Sequence, residues 1–100
     1  MEVINAIAKV RFSSARPQRV QLRKADGLTV ELVCMEPGQK LQVKEGQWSY
    51  YVVTGTAVVT CRGNQTEVPT GQVAVGEAGE AHSLDAAGER RLVCLAVGSP

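Results

Sequence analysis

Short apolar and β-branched runs, separated by turn-forming residues, dominate this chain. Residues 20–23 alternate apolar and polar side chains, as a strand with one buried face does. Asp26 and Gly27 form a turn dipeptide. The run that follows, residues 28–35, is apolar almost throughout, which is typical of a strand covered on both sides. These two runs are therefore predicted to pair as a hairpin.

The same pattern continues to the end of the chain. Further strands are predicted at residues 40–44, 48–53, 57–61, 66–68, 72–75, 82–84 and 91–97. About nine short strands at regular spacing indicate an all-β sandwich or barrel. The one helix candidate is residues 3–10, where Ile4, Ile7 and Ala8 fall on one helical face, and the same residues fit a strand equally well.

Length and composition indicate an ordinary globular protein. A chain of 100 residues forms one domain. Its net charge of +1 gives no general attraction to nucleic acid or to an anionic membrane, and neither is expected as a partner. The first ten residues carry Glu2 and Lys9 and no long apolar block, which predicts neither a signal peptide nor a membrane span. The expected location is the cytoplasm.

Two features of the composition concern cysteines and basic residues. Cys34, Cys61 and Cys94 lack the spacing of a zinc site and are odd in number, which predicts free thiols that pack like small hydrophobes.

Basic residues are concentrated near the N-terminus, where Glu2 is the single acid. They form either a solvated face or a site for an anionic ligand or partner. These residues are Lys9, Arg11, Arg16, Arg19, Arg23 and Lys24.

Several segments resemble the small single-domain bacterial cupins of the RmlC-like superfamily. The likeness begins at residues 5–13 and continues through residues 36–39, 50–55, 71–75 and 78–82. The resemblance implies a double-stranded β-helix of the cupin type, a jelly-roll barrel, over residues 1–100. It also implies a homodimer, with residues 1–16 packing either on the barrel or on the partner.

The residues at the family's metal-ligand positions are mostly replaced. In the second cupin motif, Gly71, Gly79 and His82 match, while Glu77 and Ala86 stand in place of Pro and Asn. The first motif expects two histidines and a glutamate, and this chain carries other residues at those positions. They are Lys44, Gly46 and Trp48.

A catalytic divalent metal needs at least three protein ligands, and of the family's set only His82 remains. Lysine at neutral pH has no free lone pair to donate. We therefore predict neither a metal nor another cofactor. A metal site would require substitute ligands that point into the barrel beside His82: Glu45 or Gln47, or the thiols of Cys34 or Cys61.

The candidate ligand-binding residues are His82, Trp48, Tyr50 and Lys44. Strand alternation puts Trp48, Tyr50 and Val52 on one face, which points inward if Trp48 takes the glutamate position. These aromatics either fill the barrel or line a pocket with polar tips. His82 has three open roles: a hydrogen-bonded relic, a ligand contact together with Lys44, or a general base, which makes it the one catalytic candidate.

Two function classes follow from these residues. The first is a metal-free or metal-degenerate cupin that binds a small polar molecule or serves as a non-catalytic accessory protein, down to a scaffold with a filled barrel. The alternative is a small enzyme that uses His82, either a sugar-type isomerase or epimerase or an oxygenase with rearranged metal ligands. Asp85 is a poor partner for His82, because residues three apart point to opposite faces of a strand.

Overall fold

The computed structural model describes residues 1–100 and confirms the predicted all-β architecture. Every predicted strand overlaps an observed one, and no helix is long and apolar enough to cross a membrane. The strands are β1 (Gln18–Ala25), β2 (Leu28–Met35), β3 (Lys40–Val43), β4 (Gln47–Thr54), β5 (Thr56–Cys61), β6 (Asn64–Pro69), β7 (Val73–Val75), β8 (His82–Ala86) and β9 (Leu92–Ser99).

The strands form two antiparallel sheets that face each other. The large sheet has the order β1-β2-β9-β4-β7, and the small sheet has the order β3-β8-β5-β6. Their inner faces meet in one cluster of 13 buried residues. Trp48, Tyr50 and Val52 all belong to this cluster, so the prediction that they point inward is confirmed. Burying such side chains stabilises the fold by roughly 1.5–3 kcal/mol each.

The outer face of the large sheet carries a second, smaller core. Val20, Leu32, Cys34 and Val93 are buried there under the N-terminal segment, which contributes Ala6, Val10 and Phe12. The two interpretations of residues 3–10 are both wrong, because the segment has only a 3₁₀ turn at Ile7–Lys9 and pairs with no strand. It follows the sheet surface in an irregular path instead.

A β-bulge in β1 decides which way the first strand faces. The pairing register between β1 and β2 shifts between Gln21 and Arg23. Beyond the bulge Val20 pairs with Leu32 on the outer face, while Arg19 pairs with Val33, a residue of the inner cluster. The bulge therefore turns the cationic side chain of Arg19 toward the barrel rather than toward solvent.

Candidate functional site

Trp48 closes one end of the space between the sheets. It is only 5% exposed, and its ring lies over Gly98 of β9. A Cβ atom on Gly98 would lie 2.7 Å from the ring and 2.1 Å from the backbone oxygen of Gln47. A Cβ atom on Gly76 would lie 2.3 Å from the backbone oxygen of Trp48. Glycine at position 98 therefore makes room for the indole ring, and glycine at position 76 lets the chain approach the Trp48 backbone.

Two cavities lie on opposite sides of Trp48. The first, here called the inner cavity, measures about 50 Å³, which leaves room for only a few water molecules. Its polar lining comes from Tyr50, Cys61, Glu80 and His82. The second, here called the outer cleft, measures about 410 Å³ and is open to solvent. It is lined by Arg19, Gln42, Val43, Lys44, Glu45, Trp48 and Pro100.

Both ring nitrogens of His82 have hydrogen-bond partners. Nδ1 lies 2.8 Å from the carbonyl oxygen of Glu80, and Nε2 lies 2.6 Å from the hydroxyl of Tyr50. A carbonyl only accepts, so Nδ1 carries the proton and Nε2 accepts from the Tyr50 hydroxyl. The two rings also meet edge to face, with their centroids 5.3 Å apart. These contacts hold the imidazole of His82 in one orientation.

The groups beside His82 favour their neutral forms. Burial raises the pKa of the Tyr50 phenol well above its ordinary value, and the nearby charges of Arg19 and Glu31 partly offset each other. Desolvation and then the Glu80 carboxylate raise the pKa of the Cys61 thiol. Tyr50 therefore remains a hydrogen-bond donor, and Cys61 remains a thiol rather than a thiolate at neutral pH.

In the outer cleft the guanidinium of Arg19 lies over the Trp48 ring. Its guanidinium carbon lies 5.1 Å from the centre of the Trp48 ring, as in a cation–π contact. Its Nε donates to the carboxylate of Glu31 at 2.5 Å. The Glu31 side chain is 9% exposed and that of Arg19 is 34% exposed. The anionic partner is therefore buried, and the cation faces the cleft.

Residues 31–98 match the family model of the cupin domain. The chain belongs to the cupin family. No curated protein matches it in sequence. Its fold is similar to that of the TT1209 protein from Thermus thermophilus, with a TM-score of 0.90 and 20% identity over 100% of this chain and 98% of that one.

Two further solved structures have the same fold. A Klebsiella pneumoniae protein with a double-stranded β-helix domain gives a TM-score of 0.89 at 23% identity, covering 100% of this chain and 90% of that one. An RmlC-like cupin from Desulfovibrio desulfuricans gives 0.85 at 21% identity, covering 100% of this chain and 97% of that one. At these identities the likeness shows the fold alone, so the site has to be interpreted from this chain's own residues.

The side chains of this cupin do not fit the divalent metal that the family implies. Nowhere in the chain do three His, Cys, Asp or Glu residues lie close enough together to hold one. At the first-motif positions Lys44 is exposed, Gly46 offers no side-chain donor, and Trp48 fills the space. The one metal-binding nitrogen that remains at these positions, Nε2 of His82, is already hydrogen-bonded to the Tyr50 hydroxyl.

The substitute ligands suggested by the sequence do not assemble around His82. Glu45 lines the outer cleft, and Gln47 is exposed, with its amide donating to the carbonyl of Gly76 at 3.4 Å. Cys34 faces the outer side of the large sheet. Cys61 does line the inner cavity with His82. Glu80 lines the same cavity, but its carboxylate, the Cys61 thiol and the imidazole do not lie close enough together to form the three-ligand set that a catalytic metal requires.

The predicted ligand-binding residues divide between the two cavities. Tyr50 and His82 meet in the inner cavity, Lys44 lies in the outer cleft, and Trp48 separates them. No single cavity is therefore lined by both Lys44 and His82. Asp85 forms no hydrogen bond with His82, as expected from its spacing, and a backbone carbonyl orients the imidazole instead.

Sequence reasoning missed the pair formed by Arg19 and Glu31. Glu31 is the one charged residue in the apolar run 28–35, and it is 7% exposed. A lone charge inside such a strand is a signal for a buried partner, because an unpaired buried charge is strongly unfavourable. The identity of that partner depended on the bulge in β1, which has no clear mark in the sequence.

Proposed function

We propose that this protein is a metal-free cupin that binds a small polar molecule in the outer cleft. The observation that carries this function is the position of Trp48, which leaves a cleft of about 410 Å³ outside and a cavity of about 50 Å³ inside. Small-molecule sites usually measure about 300–1,000 Å³. The outer cleft falls in this range, and the inner cavity is far below it.

The alternative, a small cupin enzyme that uses His82, has weaker support. A substrate would have to reach Nε2, which the Tyr50 hydroxyl occupies at 2.6 Å. A sugar-sized molecule does not fit an inner cavity of about 50 Å³. The Tyr50–His82 pair instead joins the two sheets, because Tyr50 lies on β4 and His82 on β8. Packing of Tyr50 in the inner cluster and the hydrogen bond between the two sheets explain why both residues are present.

Ligand binding can be followed with the intrinsic fluorescence of Trp48, since it is the only tryptophan of the chain. We expect a saturable fluorescence change with at least one member of a panel of sugars, carboxylic acids and phosphate esters. The variant His82→Ala should bind that ligand with unchanged affinity, because His82 does not line the outer cleft. A loss of binding in His82→Ala, with the fold intact by circular dichroism, would favour the enzyme alternative.

Metal content gives an independent check. We expect tag-free protein, purified after growth with added iron, manganese, nickel and zinc, to contain no stoichiometric metal by elemental analysis. The reason is that His82 has no further ligands around it, and its Nε2 atom is already hydrogen-bonded to Tyr50. One equivalent of metal in the wild type, lost in His82→Ala, would contradict a metal-free function.

The outer face of the large sheet supports a homodimer as part of the same proposal. Tyr51, Val73, Val75 and Val97 are 43%, 55%, 78% and 38% exposed. The strand register places them side by side, with Val97, Ser49 and Val75 in one row and Leu95, Tyr51 and Val73 in the next. Monomers rarely expose contiguous apolar patches beyond a few hundred Å². None of these residues is charged, so two copies can meet across a two-fold axis without opposing like charges.

We expect the wild type to sediment as a dimer and Val75→Lys to sediment as a monomer at the same concentration. A buried, unpaired lysine at a symmetric interface appears twice and is strongly unfavourable. Gln65→Lys is the matched control, because Gln65 is exposed on the small sheet. A wild type that stays monomeric at high concentration, or equal dissociation of both variants, would contradict this interface.

We also propose that the protein is located in the cytoplasm, and the state of its cysteines supports this. Its three cysteines are free, and Cys34 and Cys94 are buried. Burial raises the pKa of the Cys94 thiol to about 12, which keeps it unreactive. A chain that uses its cysteines as core residues suits a reducing compartment.

A further inference from the structure

Arg19 is held in the outer cleft with part of its guanidinium group unused. Its one side-chain hydrogen bond runs from Nε to Glu31, so its two Nη groups have no partner in the protein. The stack on Trp48 and the bond to Glu31 fix the plane of the group. A guanidinium held in this way loses little conformational freedom when it binds a ligand.

Lys44 adds a second unused cation to the same cleft. It is exposed just after β3 ends at Val43, and it forms no ion pair within the chain. Glu45 is the only acidic side chain that lines the cleft, against the two cations of Arg19 and Lys44. Glu31 balances Arg19 from the buried side, so the positive end of that pair is directed toward the cleft.

We propose that the outer cleft is an anion site that takes a small organic molecule bearing a carboxylate or phosphate group. The unused Nη groups of Arg19 match two oxygens of such a group, and Lys44 adds a point charge. Trp48, Val43 and Pro100 line the rest of the cleft and suit the carbon frame of the ligand. This ligand class rests on the proposed function, since both use the outer cleft.

The test compares glucose with glucose 6-phosphate, and adds inorganic phosphate and malonate, using Trp48 fluorescence and calorimetry on the full chain at low salt. The matched sugars isolate the anionic group, and the two simple anions distinguish phosphate from carboxylate. We expect at least one anion to bind saturably, glucose to bind far more weakly than its phosphate ester, and added salt to weaken the anion's binding.

Variants locate the binding. Lys44→Ala should weaken anion affinity roughly tenfold, as loss of one charge-assisted hydrogen bond does. Lys40→Ala is the matched control, because Lys40 is an exposed cation at the start of β3, close to Lys44 in the sequence, and does not line the cleft. Arg19→Lys keeps the charge and loses the paired donors, so it should weaken binding as well, with folding checked by circular dichroism.

The outcomes separate the two proposals. If no anion binds at millimolar concentration, or if Lys44→Ala and Lys40→Ala weaken binding equally, the anion site is wrong. If neutral ligands then still change the fluorescence of Trp48, binding in the outer cleft stands without the anion class. If neither anions nor neutral ligands bind, both proposals fail.

Discussion

Replacing Trp48 with alanine is expected to lower the free energy of unfolding by about 3–5 kcal/mol. The side chain is 5% exposed and belongs to the inner cluster, so its removal leaves a void that rigid neighbouring strands cannot close. In a domain of 100 residues each 1 kcal/mol corresponds to about 4–8 °C, so the melting temperature should fall by more than about 12 °C. Far-ultraviolet circular dichroism measures this without the lost fluorophore.

Trp48→Phe is the control for this prediction. Phenylalanine keeps an aromatic ring over Gly98 and under Arg19, so a clearly smaller loss is expected. The alanine variant also removes the one side chain that lines both cavities, which should join them into a single larger space. If Trp48→Ala lost no more stability than an average surface substitution, Trp48 would not be the closing element of the barrel.

The strands were predictable because their signals are local. Residues 28–35 are apolar on both faces, and the structure covers both faces of β2, with the inner cluster on one side and the N-terminal segment on the other. The turn dipeptide of Asp26 and Gly27 set the β1–β2 hairpin, in which Ala25 pairs with Leu28. Alternation alone placed Trp48, Tyr50 and Val52 on one face.

The orientation of β1 was not predictable from the same signals. A regular hairpin would keep Leu22 opposite Glu31 and would give Val20 the same face as Val33. The bulge inserts one residue into β1. The side chains of residues 18–21 therefore point to the opposite faces from those that a regular hairpin would give them. Val20 is then buried under the N-terminal segment, and Arg19 reaches Glu31 and Trp48. One unmarked residue therefore brings Arg19 into the outer cleft.

The sequence predicted one site that contains both Lys44 and His82. Counting positions along a sequence motif does not show where a strand ends. Lys44 takes a histidine position of the family, but β3 ends at Val43 and the turn directs the chain to the outside. Tyr50 and His82 remained within regular strands, and they do meet. The partner of the second ring nitrogen is a backbone carbonyl, which carries no signal of residue type.

The replacements at the metal positions form a consistent set in physical terms. A bound metal would cross-link the sheets, and here the Tyr50–His82 hydrogen bond does so between β4 and β8. The volume that a metal and its substrate would need is occupied by Trp48. Burial keeps the Tyr50 phenol of this pair neutral, which avoids the desolvation penalty of a buried charge. The proposed binding site then lies outside the barrel, in the cleft lined by Arg19 and Lys44.

Gly98→Ala is expected to destabilise the protein by about 1–3 kcal/mol or more, although it adds only one methyl group. The new Cβ would lie 2.1 Å from the backbone oxygen of Gln47 and 2.7 Å from the Trp48 ring. β4 and β9 are paired at this point, where Trp48 is opposite Gly98, so neither strand can move alone. Chemical denaturation followed by circular dichroism measures the loss.

A double-mutant cycle with Trp48→Ala identifies the cause. The ring contact disappears in the double variant while the Gln47 contact remains, so Gly98→Ala should still destabilise the protein, but by less, giving a coupling of about 0.5–3 kcal/mol. Gly63→Ala is the matched control: Gly63 has a φ of 77° and open space around it, so its replacement adds backbone strain alone and should be additive with Trp48→Ala. Equal additivity for Gly98 and Gly63 would show that the glycine in β9 is not what makes room for the indole.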